Sequence, residues 1–148
     1  MHFSTLASVL LPSIAAAAPY ALELGYISTV FPSLPDGPGV GCGPWAWLDA
    51  QDGTKWAPDN GDALSKADEC PLADGHPFCQ RWGCEIDLHY DNGNFAFKIL
   101  RDEGKNVVVE GWKFHGGWQT VTCEPSLWTV SSNGWGNQYR TNICYFDL

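Results

Sequence analysis

Basic residues are scarce in this chain: eight Lys and Arg stand against 17 Asp and Glu, for a formal net charge of −9. The eight do not gather into a run anywhere. That excludes the basic stripe a nucleic-acid backbone or an anionic membrane surface requires. An acidic balance of this kind favours solubility and a monomer or small homo-oligomer, and it leaves room for a basic partner. Catalytic signatures are missing too, with no G-x-S-x-G, no H-E-x-x-H and no P-loop. No cofactor-binding motif is present, so none is expected. There is no Asn-x-Ser/Thr acceptor, so no ordinary N-glycan is expected. Beyond residue 18 no apolar stretch nears the about 20 residues that a membrane helix needs, so no membrane insertion is expected.

What is present begins at the N-terminus. MHFSTLASVLLPSIAAAA holds no Asp, Glu, Lys or Arg, is predominantly apolar from Leu6 to Ile14, and ends in the small residues Ala15 to Ala18. This is the composition of a secretory signal peptide, with cleavage expected after Ala16 or Ala17 because Pro19 suits a later cut poorly. The expected organisation is a signal peptide over 1–17, an N-terminal strand and Pro/Gly-rich segment over 18–44, and a disulfide-bonded β domain over 45–148. The product is expected to be secreted and extracellular. About 130 residues make one domain whose core is modest, burying roughly two-thirds of the unfolded surface, so covalent cross-links matter.

Cys42, Cys70, Cys79, Cys84, Cys123 and Cys144 supply such links in an even count. A zinc site would have to use Cys70, His76, Cys79 and Cys84, which lack paired C-x-x-C spacing, and an oxidising export route favours disulfides. Three disulfides and no metal are expected, with the pairing left open by the spacing.

Along the chain, Leu22 to Phe31 reads as a strand and PSLPDGPGVGCGP, ending at Pro44, as a loop. Trp45 to Asp62 alternates aromatics with the turn dipeptides Asp52-Gly53 and Asn60-Gly61. ALSKADEC, residues 63–70, reads as a short helix capped by Asp62. Glu85 to Tyr90 alternates polar and apolar, Asp91 to Asn94 turns, and Phe95 to Leu100 returns as a hairpin. Asn106 to Phe114 and Trp118 to Cys123 follow around a His115-Gly116-Gly117 turn. Residues 124–139 read as a Ser/Asn/Gly/Trp-rich loop and Tyr139 to Phe146 as a last strand. The predicted fold is all-β: a compact antiparallel β-sandwich or β-barrel stapled by three disulfides, with at most one short helix.

From Cys70 to the end, the cysteine spacing and the hairpin run resemble the secreted fungal proteins related to the major Alternaria allergen. The resemblance implies Cys70–Cys84 as a first pair with Trp82 close before its second cysteine, Cys123–Cys144 as a second pair, and Cys42–Cys79 as the remaining bridge. Cys42 and Cys79 are additional to that pattern, and only four residues follow Cys144, where the family normally continues. It further implies a non-enzymatic β-barrel that provokes defence or cell death in plants by binding host defence proteins or small aromatic ligands.

Eight Trp residues are the other resource of the chain. Indole faces stack on sugar rings and flat ligands, and the N–H donates. Trp82, Trp112 and Trp118 read as core. Trp128, Asn133, Trp135, Asn137 and Tyr139, set among turn residues, form the candidate ligand-binding set. Glu85, Asp87 and His89 share one strand face, where a carboxylate beside an imidazole suits acid–base chemistry. With Ile86, Leu88 and Tyr90 opposite, that polar face reads more simply as the one facing water. His115 reads as a turn residue. Asp49, Asp52, Asp59, Asn60 and Asp62 offer calcium-type oxygen ligands, but without EF-hand spacing they read as turn residues. The function expected is that of a small secreted effector or elicitor, non-catalytic, whose partner is an extracellular plant protein or polysaccharide. The alternative is a carbohydrate-binding module or small hydrolase using exposed Trp and a Glu/Asp pair.

Overall fold

The structure, a computed structural model, describes residues 20–34, 37–67, 78, 85–101, 106–133 and 136–148, with the side chains of 30–40, 101 and 133 left aside. Among the described residues nine strands form two antiparallel sheets: β1 (Tyr20–Leu34), β2 (Gly37–Ala50), β3 (Lys55–Trp56), β4 (Glu85–Tyr90), β5 (Phe95–Arg101), β6 (Val107–Lys113), β7 (Trp118–Thr122), β8 (Glu124–Asn133) and β9 (Gly136–Phe146). The larger sheet runs β3-β2-β1-β9-β8 and the smaller β4-β5-β6-β7. Of the sandwich or barrel expected, the closed barrel gives way: the described residues form two open sheets sharing one core.

The meander follows from alternation. In β4, Ile86, Leu88 and Tyr90 are buried while Glu85, Asp87 and His89 face water, as the predicted pattern requires. Its turn uses Asp91, Asn92 and Gly93 at positive φ, and the β6–β7 turn places His115 at φ 56°, both within the left-handed region that tight hairpins need. Aromatic side chains then close the core between the sheets. Phe97 meets Phe146 edge-on with ring centroids 5.0 Å apart, and Phe95 meets Tyr20 at the same distance.

At Gly111 the layers approach closely: a Cβ added there would lie 2.6 Å from a Phe146 ring carbon and 3.0 Å from Phe97. Neither ring has space to retreat, since both are buried. Gly111→Ala is expected to cost about 1–2 kcal/mol by overpacking, read as a lowered urea midpoint with unchanged slope. An unchanged midpoint would show that the layers have slack there.

Three expectations give way. Residues 37–44 are strand rather than loop: Cys42 pairs with Ser28, Gly41 with Thr29 and Gly43 with Ile27 along β1. Residues 124–133 and 136–138 are also strand, in β8 and β9. In both places pairing to a long neighbour outweighs local turn chemistry. The helix expected over 63–70 is a 3-10 helix, Gly61–Lys66, with Asn60 rather than Asp62 at its N-cap.

Asn60 makes no side-chain cap because its amide is used elsewhere. Its Nδ2 donates to the Asp87 carbonyl (2.9 Å), its Oδ1 accepts from the His89 N–H (2.8 Å), and the Asp59 N–H donates to the His89 carbonyl (2.7 Å). The free edge of β4 is thereby covered, as an exposed sheet edge needs to be. Asp59 also accepts from the Gly93 N–H, Asp52 from the Thr54 N–H, and Asp49 pairs with Lys55 at 3.0 Å. Of the carboxylates considered for calcium, Asp49, Asp52 and Asp59 therefore serve separate structural ends. The Thr54 bonds hold the Asp52 carboxyl below its ordinary range.

One complete disulfide, Cys123–Cys144, lies among the described residues, where three were expected. Cys42 is also disulfide-bonded, and Cys70, Cys79 and Cys84 lie outside the described residues. Cys123 stands where the chain leaves the smaller sheet for the larger one, and its N–H donates to the Val107 carbonyl at 2.8 Å.

Candidate functional site

Two surfaces carry aromatic and polar side chains outside the core. The first is the far half of the larger sheet, reached by β1, β2, β8 and β9. Strand alternation divides its side chains between two faces. On the face shared with the core, Tyr26 and Tyr139 stack with centroids 5.0 Å apart, and the Asn137 amide donates to the Tyr139 hydroxyl at 2.8 Å. Burial, and then the neighbouring Tyr139, push the Tyr26 phenol above its ordinary value.

On the opposite face Trp128 stands across from Arg140. Arg140 Nη1 contacts Glu23 Oε1 at 2.7 Å and its Nε donates to Ser126 Oγ at 3.0 Å. Lys55 reaches the other Glu23 oxygen at 3.4 Å and lies over the Trp47 ring. Burial alone would lower the Lys55 pKa, but Asp49 and Glu23 outweigh it and raise it. One line of polar contacts thus crosses all five strands of the sheet.

The candidate ligand set is therefore split. Asn137 and Tyr139 meet, and Tyr26 joins them, a residue the sequence reading left within a plain strand. Trp128 belongs to the other face. Asn133 ends β8 opposite Gly136, and Trp135 lies outside the described residues. The signal that would have separated Trp128 from Tyr139 is strand parity, which is invisible while the segment reads as loop.

The second surface is the outward face of the smaller sheet. Cross-strand register aligns His89, Ala96, Trp112 and Trp118 in one row, and Asp87, Lys98, Glu110 and Thr120 in the next. A shallow cavity of about 260 Å³ opens over them. Trp118 is 62% exposed and Trp112 half-buried, which corrects their reading as core. The sequence did hold a signal: Trp112 has the parity of Glu110, and the turn at 115–117 sets Trp118 directly across from it. Trp82 lies outside the described residues.

Glu85, Asp87 and His89 do share one exposed face. Glu85 pairs with Lys98 at 2.9 Å, and that hydrogen bond, with the nearby Asp87 and Glu110 charges, raises the Lys98 pKa. His115 lies in its turn against the Phe114 ring. Among the described residues no group of His, Cys, Asp and Glu is placed to hold a metal ion.

Compared with known protein families, curated proteins and solved structures, the chain matches none.

Proposed function

We propose that this is an exported, non-catalytic effector or elicitor that binds an extracellular plant protein through the far half of its larger sheet. The observation that carries this reading is the edge strand β8. Leu127, Trp128 and Val130 are all exposed there, Trp128 by 65%, on a strand whose outer backbone groups pair with no other strand among the described residues. Exposed apolar side chains on an edge strand are what natural folds usually avoid, because they invite another chain. A partner segment adding to that edge gains main-chain hydrogen bonds and, in Trp128, an anchor of the kind that dominates interfaces. The leader composition, the disulfides and the cysteine-frame resemblance support an extracellular setting and a plant host.

The test is infiltration of leaf tissue with the disulfide-intact mature protein, beside a reduced and alkylated sample and the Trp128→Ala variant. The folded protein is expected to trigger cell death and an oxidative burst, and the reduced sample none. Trp128→Ala is expected to lose the response while its stability stays within about 0.5 kcal/mol, since an exposed side chain contributes little to folding. A full response from the variant would remove β8 as the contact surface. No response to the folded protein would sink the elicitor reading.

A further inference from the structure

We propose a second binding site on the outward face of the smaller sheet, for a saccharide carrying protonated amines. Ala96 is the small residue in a row of large ones, flanked across the strands by His89 and Trp112. It forms the floor of the cavity, and the rings beside it form walls. At about 260 Å³ the space falls just under the roughly 300 Å³ at which pockets for larger organic ligands begin, a scale that suits a sugar unit.

The chemistry of the rim selects among sugars. A pyranose presents axial C–H bonds to an indole face and hydroxyls to polar groups at its edge, and Trp118 with Trp112 offers the faces. Among the described residues Lys98 is the one Lys or Arg of the cavity lining, and Glu85, Asp87 and Glu110 all act on it. Three carboxylates against one ammonium leave a local net charge of −2. Glu85 holds the ammonium at 2.9 Å, so Asp87 and Glu110 keep accepting capacity toward the cavity.

An anionic sugar is repelled by this rim, and a neutral one uses the rings but leaves the carboxylates unanswered. An amino sugar answers both. Its ammonium makes charge-assisted hydrogen bonds to Asp87 or Glu110 and gains from the indole quadrupole. The overall charge of −9 draws such a cation from a distance. This site is distinct from β8, so it stands or falls apart from the effector reading.

The experiment titrates the folded mature protein, by tryptophan fluorescence and calorimetry, with three oligomers of equal length: β-1,4-linked glucosamine, its N-acetylated form and β-1,4-linked glucose. The glucosamine oligomer is expected to bind about tenfold or more tightly than the other two, and to weaken as salt rises. Trp118→Ala is expected to weaken it about tenfold with an unchanged melting temperature, and Trp128→Ala to leave it unchanged. Asp87→Asn with Glu110→Gln is expected to abolish the preference for the amine. Equal binding of the three oligomers overturns the charge argument, full affinity in Trp118→Ala overturns the placement, and absence of binding overturns the site.

Discussion

Cys123→Ala with Cys144→Ala is expected to lower the stability of the oxidised protein by about 3 kcal/mol, the chain-entropy value for a closed loop of this order. The two cysteines are 21 residues apart in sequence. Between them lies β8 and most of β9, the part of the larger sheet that is laid down last. Without the bond, the unfolded chain regains the freedom of that loop. The folded state loses little packing if Ala replaces each buried sulfur, because both sites are apolar and Ala leaves no polar atom unpaired. Urea unfolding followed by far-UV circular dichroism should show a lower midpoint. A loss under about 1 kcal/mol would mean that pairing of β9 with β1 closes the loop unaided. The location gives the bond a second effect: Cys123 is the residue at which the chain changes sheets, so β8 and its exposed Trp128 are set in place from there. Loss of the bond should therefore weaken any activity that depends on β8 before the core melts.

How much of this was legible in the sequence varies by element, for a physical reason. The β4–β7 meander could be read nearly to its ends because each strand buries one face and wets the other. Ile86, Leu88 and Tyr90 against Glu85, Asp87 and His89 leave one register open, and Gly93 and His115 mark the turns. The start of β2, residues 37–44, and the strand β8 carry no such contrast. Gly41 and Gly43 have no side chains to alternate, and in β8 both neighbouring faces reach solvent at Leu127 and Trp128. Such segments become strands through pairing, a nonlocal property that turn residues in the sequence conceal. The same limit governed the candidate site. Asn137 and Tyr139 lie together while Trp128 stands on the other face, and Trp118 is exposed where core was expected, since in a two-faced sheet a Trp on either side reads alike until its parity is known. The Cys123–Cys144 pair, which the family resemblance implied, is present, and Cys42 is also disulfide-bonded.

Glu23 is the residue where sequence parity is most misleading and where a single change is expected to cost most. It lies between Leu22 and Leu24 in β1, and its side chain is only 9% exposed although it points away from the core. Both carboxylate oxygens are engaged, one by Arg140 at 2.7 Å from β9 and one by Lys55 at 3.4 Å from β3. Removing it leaves the Arg140 guanidinium, itself three-quarters covered, facing an apolar side chain. Breaking a buried ion pair from one side costs about 3–5 kcal/mol where neither ion can reach water. Lys55 is 44% exposed and keeps Asp49, so the lower end applies. Glu23→Leu is expected to destabilise by about 3 kcal/mol, and Glu23→Gln by roughly half of that, since the amide keeps one acceptor for Arg140 but loses the charge. The deciding variant is the double one. Replacing an entire buried pair by apolar groups of similar size is often neutral, because no charge is then left without a partner. Glu23→Leu with Arg140→Met should therefore recover most of the loss, a coupling that a double-mutant cycle measures directly. Additive losses would show instead that Arg140 holds β8 chiefly through Ser126, and that the line of contacts across the five strands is two separate links.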